Sequence, residues 1–321
     1  MLEIATIIMN LITGSLLIIT GVGTMGRTLE QANSKLLHKT MSLFSRNKWT
    51  SFLTGISLTA LVQSSTAVTI LTVSFVDSGI MRLESAVAII YGANIGTTFT
   101  AQFMSFQINR YAWHILIAGC ILSFGTLHKL KTAGHVLVGV GLLFSGLSLM
   151  GKSVMILKGN PLLSQWLMEH SENVILCLLA GVFFTMLAQS SSATVGMTIL
   201  LFNNGLLPFA SAVALTLGDN IGSCITAQVA SLKSGTAGKR VALAHTLYNV
   251  FGVVLVFLIL PQFCDLVLAS TKALGQDNTR LIANTHTIFN LVSALLFLPI
   301  SKYYVRFLYF LLPDKSHRGC N

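Results

Sequence analysis

Charge is scarce in this sequence. Lys, Arg, Asp and Glu make up 9% of the 321 residues against 53% hydrophobic ones, where a soluble domain carries roughly a quarter charged residues. So few charges cannot cover a water-facing surface of this size, which excludes a soluble fold. Acidic residues are scarcest, 10 against 20 basic, leaving a formal charge of +10. The basic residues sit between apolar runs, so they read as topology signals and not as a nucleic-acid surface. The short alternating segments of a membrane barrel are missing too. Cys120, Cys177, Cys224, Cys264 and Cys320 form no CxxC pair and read as small apolar residues. HExxH and P-loop motifs are absent, and Gly139, Gly141 and Gly146 follow no soluble strand, which removes a dinucleotide site. The first apolar run starts behind Glu3 and ends at Gly26-Arg27 without an A-x-A site, so no cleaved signal peptide is expected.

What is present is a series of apolar stretches near the ~20 residues that span a bilayer. The expected class is an all-α polytopic membrane protein, and self-comparison divides it. Gly55-Ile-Ser-Leu-Thr59-Ala-Leu-Val-Gln63-Ser64-Ser65-Thr66-Ala67 aligns with Gly181-Val-Phe-Phe-Thr185-Met-Leu-Ala-Gln189-Ser190-Ser191-Ser192-Ala193, 126 residues later. At the same offset Gly92-Ala-Asn94-Ile-Gly96-Thr97 matches Gly218-Asp-Asn220-Ile-Gly222-Ser223. Upstream, Gly21 to Arg27 echoes Gly146 to Lys152. Low-complexity apolar sequence does not reproduce polar motifs in register, so the chain is a duplication. The units are 1–130 and 131–262, followed at 263–321 by a last transmembrane helix and a tail.

Each QSS motif interrupts an apolar stretch too long for one helix and is expected to be the tip of a re-entrant hairpin, near 49–77 and 173–204. Seven spans remain, roughly 4–26, 80–103, 111–128, 133–151, 206–231, 241–262 and 284–306. Placing the 27–48 loop in the cytoplasm puts 15 of the 20 Lys and Arg residues inside, the asymmetry that orients membrane proteins. The N-terminus is then outside, the C-terminus cytoplasmic, and the two hairpins enter from opposite faces. The repeats are thus expected to be inverted, each with a hairpin and a broken helix.

Polar residues and irregular backbone at membrane depth are tolerated only inside protein or beside a wet cavity, and paired broken helices are where secondary transporters bind substrate and coupling ion. In Gln63-Ser64-Ser65-Thr66 and Gln189-Ser190-Ser191-Ser192, hydroxyls and helix-start N–H groups suit an oxyanion without a lysine. The GxNIG segments offer breakable helix and the Asn and Thr or Ser oxygens that suit sodium; packing of small residues is the plainer alternative. Asp219, whose repeat mate is Ala93, is the charged residue well inside a span; it could hold sodium, pair with a proton, or cap a helix near the interface. His245 with Asn249, and His286 with Asn290, share helix faces at i, i+4 and suit interhelical hydrogen bonds more than proton transfer.

The paired QSS motifs, each followed by a GxNIG segment, and the His-Thr-x-x-Asn element after the second resemble the signature of type II sodium–phosphate cotransporters over about residues 14–260. That resemblance implies sodium-coupled symport of inorganic phosphate across the plasma membrane by alternating access, with no catalytic residue and no cofactor beyond sodium as coupling ion. It implies a phosphate and sodium site at Gln63, Ser64, Ser65, Gln189, Ser190 and Ser191, extended by the motif residues Thr66 and Ser192. Asn94, Thr97, Thr98, Asn220 and Ser223 would complete the ion ligands, with Asp219 added by this chain. Phosphate, sodium and the lipid bilayer are the expected partners; nucleic acid is not, and a homodimer is compatible. Three departures are expected: no regulatory domain after Pro313, a short Lys152–Asn173 loop, and Asp219 where the family has a small residue. A sodium-independent anion channel, or a serine hydrolase using Ser190 with His245, are the rival classes.

Overall fold

The computed structural model describes residues 2–33, 47–106 and 108–314, and among them the regular structure is entirely helical. The first repeat contains α1 (Leu2–Ala32), α2 (Lys48–Val62), α3 (Ser65–Asp77) and α4 (Leu83–Met104). A short α5 (Ala112–Ser123) leads to α6 (His128–Gly159), α7 (Pro161–Ser171), α8 (Val174–Ala188) and α9 (Ser191–Asn203). Then come α10 (Phe209–Gly222), α11 (Ile225–Ser231), α12 (Thr236–Leu258), α13 (Leu260–Ala273), α14 (Leu281–Phe297) and α15 (Ser301–Leu311). Helices α1, α6 and α12 are each long and apolar enough to cross a bilayer alone, and the bent pairs α7–α8 and α14–α15 reach that composition together. On α1, Ile4, Ile8, Met9, Ile12 and Leu16 are exposed while Ile7, Gly14, Ile18, Gly21 and Met25 form the buried stripe. An outward face so apolar is stable only against lipid. The chain is an all-helical polytopic membrane protein.

Helix ends repeat with the sequence. α2 and α3 start and stop 126 residues before α8 and α9, and α4 starts 126 before α10. Two residues split each hairpin. Gln63 and Gln189 are left-handed, at φ 56° and 49°, and Ser64 and Ser190 are extended, at φ −146° and −148°. Among the described residues these two glutamines are the non-glycine positions with positive φ, a conformation that costs an L-residue about 1–2 kcal/mol. The left-handed residue closes one helix and the extended serine opens the next. The 13 residues of α3 or α9 reach only about 20 Å, less than the ~30 Å hydrocarbon core. The chain also folds back. The hydroxyls of Thr185 and Thr194 are 2.8 Å apart, although nine residues of straight helix would separate them by about 13 Å.

The hairpins are clamped to α4 and α10 by mated glycines. A Cβ on Gly92 would lie 2.0 Å from the Phe52 carbonyl oxygen, and one on Gly218 2.0 Å from that of Leu178. Gly55 meets Ile89 O at 2.2 Å and Gly181 meets Leu215 O at 2.1 Å. Gly92-x-x-x-Gly96 and Gly218-x-x-x-Gly222 are thus close-packing faces of the kind membrane helices use. The mates α1 and α6 pack on each other by exchange: Gly14 lies against Gly146, and Gly21 against Gly139. One index rises as the other falls, so the two helices run antiparallel.

Several boundaries differ from expectation. The span expected at 111–128 is the 12-residue α5, about 18 Å long and packed on α6 where Gly119 meets Val138. The 152–173 loop is helical: α6 runs on to Gly159, and α7, capped by Asn160 with Pro161 at its first turn, meets α8 at 105°. The 284–306 span bends by 83° between α14 and α15, where Pro299 supplies no N–H to continue the ladder. A helix break was expected at both GxNIG segments. It occurs in the second, at Ser223-Cys224, where Cys224 N bonds back to Ile221 O in a tighter turn, while α4 is continuous through Gly96. The expected cytoplasmic residues Lys35, Lys39, Arg46, Lys315 and Arg318, and Cys320, lie outside the described residues.

Candidate functional site

The first residues of α3 and α9 converge with the middles of α4 and α10. Between them is a small cavity of about 10 Å³ lined by Ser65, Asn94, Thr97, Ser191, Asp219, Asn220, Ser223 and His286. Six of these are three repeat pairs: Ser65 with Ser191, Asn94 with Asn220, Thr97 with Ser223. Asp219 and His286 break the symmetry. The volume is on the order of one water, smaller than a phosphate ion.

Asp219 is fully buried. Its Oδ1 accepts from Thr185 Oγ1 at 2.8 Å, and Thr185 is itself bonded to Thr194; Oδ2 is buried without a partner. The corresponding positions in the first repeat are Thr59, Val68 and Ala93, so this network exists only in the second. It groups one carboxylate oxygen with amide and hydroxyl oxygens, the donor types that hard cations prefer. Among the described residues no three His, Cys, Asp or Glu side chains come together as a transition-metal site would need.

The two QSS turns are unequal as well. Ser64 Oγ accepts from Ala67 N at 3.1 Å and so caps α3. Ser190 makes no such bond to α9, leaving those amides available. Gln63 is tied down, donating to Ala60 O and accepting from Thr100 Oγ1 at 2.8 Å, whereas Gln189 is exposed. Of the residues singled out from sequence, Ser65, Ser191, Asn94, Thr97, Asp219, Asn220 and Ser223 meet at the cavity. Gln63, Ser64, Gln189 and Ser190 form the two turns behind it, and Thr66 and Ser192 follow on the first turns of α3 and α9. Thr98 bonds back to Ile95 O at 2.8 Å and does not line the cavity.

The interhelical role expected of the His-Thr-x-x-Asn elements is what they perform, and their arrangement adds a symmetry. Asn94 donates to Asn249 Oδ1 at 2.9 Å and accepts from His245 Nε2 at 3.2 Å, both on α12. Its mate Asn220 accepts from Asn290 Nδ2 on α14 at 3.2 Å. Gln102 donates to Thr287 on α14 at 3.0 Å, and its mate Gln228 to Thr246 on α12 at 2.6 Å. Exchange of repeats therefore exchanges α12 with α14. Helix α14 is anchored at its start by Arg280, which donates to Ser105 Oγ at 3.1 Å and lies over Phe106. Sequence reasoning assigned the site no residue beyond the second repeat; the 41-residue spacing between Thr246 and Thr287 was the available signal. Asn290→Leu is expected to leave the Asn220 amide oxygen unbonded at a cost of about 1–3 kcal/mol, read as a lower thermal midpoint of the purified protein. An unchanged midpoint would reject the bond as structural.

Comparison with known sequences places the chain in a family. The profile of the family described as Na+/Pi-cotransporter matches residues 17–152 and 155–269. The uncharacterized protein YqeW of Bacillus subtilis is 31% identical over 303 residues, 94% of this chain and 96% of that protein. YjbB of Escherichia coli strain K12, named for inorganic phosphate export, is 28% identical over 317 residues, 98% of this chain but 56% of YjbB. The sodium-dependent phosphate transport protein 2A of Ovis aries is 28% identical over 148 residues, 43% of this chain and 23% of its own length. No solved structure matches.

Proposed function

The chain belongs to the Na+/Pi-cotransporter family, a family of transporters and not of enzymes, and from that premise we propose that it carries inorganic phosphate together with sodium through the cavity between its repeats. The observation that carries this reading is the cavity lining: three mated polar pairs from the two repeats, plus a buried carboxylate oxygen without a partner. A lone buried carboxylate is costly, and a bound cation offsets that cost and then part of the phosphate's charge. Ser65, Ser191 and the free amides of α9 donate to the phosphate oxygens. Asp219 with Asn220, Thr97 and Ser223 takes the sodium.

The cavity is smaller than phosphate, so each transfer needs the hairpins to part from α14 on one side and then the other. The glycine exchange between α1 and α6 supports repeats inverted in the plasma membrane, and the distribution of Lys and Arg supports a cytoplasmic C-terminus. Direction follows from the gradients. An inward sodium gradient gives uptake, and the same carrier runs outward when phosphate is the steeper gradient, which accommodates the export for which YjbB is named.

In proteoliposomes holding the purified protein, an imposed inward sodium gradient is expected to drive labelled phosphate in, and potassium in its place is not. Phosphate flux that is equal at zero sodium identifies a passive anion pathway instead and overturns the coupling.

A further inference from the structure

A second, larger cavity lies away from the site just described and shares no residue with it. It measures about 300 Å³ and opens where α3 meets α4, beside the start of α12 and the second half of α15. Arg82, Glu84, Arg240 and Tyr309 give its polar side, and Met81 and Val305 part of its apolar wall. Arg240 is 2% exposed. All its partners come from the last described stretch: Nε donates to Leu312 O at 2.7 Å, Nη2 pairs with Asp314 at 2.8 Å, and the guanidinium lies 4.1 Å over the Tyr309 ring. The Asp314 side chain is 74% exposed, and an ion pair with one exposed partner is held weakly. Arg82, the second cation, is exposed at the mouth.

We propose that this cavity binds a phosphate-bearing anion between Arg240 and Arg82, and that Asp314 occupies the anion's place when it is empty. A buried guanidinium whose charge is met only by a loosely held carboxylate suits exchange for a phosphate group, which presents a pair of oxygens to the guanidinium fork and can reach Arg82 with another. Glu84 on the same rim limits the site to one phosphate group. The mixed lining fits the phosphodiester headgroup of an anionic lipid, beside the helix α15 that follows the 83° bend. Basic pockets at helix ends recognise such headgroups. Inorganic phosphate offers the same chemistry without the acyl chains. The proposal is independent of sodium coupling, because its readout is binding.

Native mass spectrometry of the purified protein with phosphatidylglycerol, phosphatidylcholine or inorganic phosphate tests it. Retention of phosphatidylglycerol over phosphatidylcholine is expected. Arg82→Gln should weaken it roughly tenfold, the scale of one charge-assisted hydrogen bond, and Asp314→Asn should tighten it by removing the competitor. Inorganic phosphate that binds with the same dependence on Arg82 and Asp314, while the lipid does not, identifies the free ion as the ligand. Retention of both probes unchanged in Arg82→Gln overturns the site, and retention unchanged in Asp314→Asn overturns the exchange. Arg240→Gln is read only if it elutes as folded protein, since its bonds also hold α15.

Discussion

Asp219→Asn is expected to raise the sodium concentration that half-saturates phosphate transport roughly a hundredfold. Removing one member of a buried charge pair costs on the order of 3 kcal/mol, which is about that factor in affinity. Asn keeps the shape and the bond from Thr185, now donated to an amide oxygen, so folding is spared and the missing charge is what the assay reads. The empty carrier is also relieved of an unpaired carboxylate, so the variant should be at least as heat-stable as the parent without sodium and should gain less from added sodium. Thr185→Val tests the support rather than the charge. It removes the bond at 2.8 Å to Asp219 and should shift sodium affinity by less, about 1 kcal/mol. If sodium half-saturation is the same in Asp219→Asn as in the parent, the cation does not sit on this carboxylate.

The repeat made much of this legible beforehand. Because Gln63 and Gln189 lie in matched polar breaks, both hairpins could be placed, and their helix ends agree with the 126-residue offset. The pairs Ser65 with Ser191 and Asn94 with Asn220 were readable for the same reason: a polar residue at membrane depth must be satisfied inside protein. What could not be read depends on lateral packing. Composition marks a stretch as apolar but does not fix where its helix begins and ends, so the 111–128 stretch holds a 12-residue α5 laid antiparallel along α6, with Gly141 on Leu116 and Gly134 on Ser123, and the helix α7 has no signal of its own. Pro299 was visible, yet a proline permits a kink or a full turn, and the 83° bend is held by Tyr304 OH donating to Ala244 O at 2.7 Å. The part played by His286 and Asn290 was hidden for another reason. They belong to a copy of the His-Thr-x-x-Asn element that lies outside the 126-residue register, and only the bond to Asn220 and the bond from Gln102 show which helix it mates with.

Gly218→Val should be among the most damaging single substitutions in the chain. A Cβ there would sit 2.0 Å from Leu178 O and 3.0 Å from Val182 N, both backbone atoms of α8 that no side-chain rotation can move. Either α8 leaves α10 or the helix distorts, and both open the site, since Thr185 on α8 holds Asp219 on α10. Overpacking a core costs about 1–3 kcal/mol when side chains can yield. With backbone in the way, the upper end or more is expected, a fall of roughly 10 °C in thermal midpoint together with loss of transport. Gly92→Val should act alike, because its Cβ would meet Phe52 O at 2.0 Å. Gly23→Ala is the control: nothing lies within 4 Å of a Cβ at that position, and alanine in mid-helix should hold or raise stability by up to about 1 kcal/mol. If Gly218→Val matches Gly23→Ala in both midpoint and transport, the hairpin is not clamped to α10. If it fails as expected, the first helix of each hairpin is joined to its partner too closely to slide on it. Any opening of the central cavity must then move the pair as one body, with the hairpin tips at Gln63 and Gln189 and the facing helix α14 left to supply the motion.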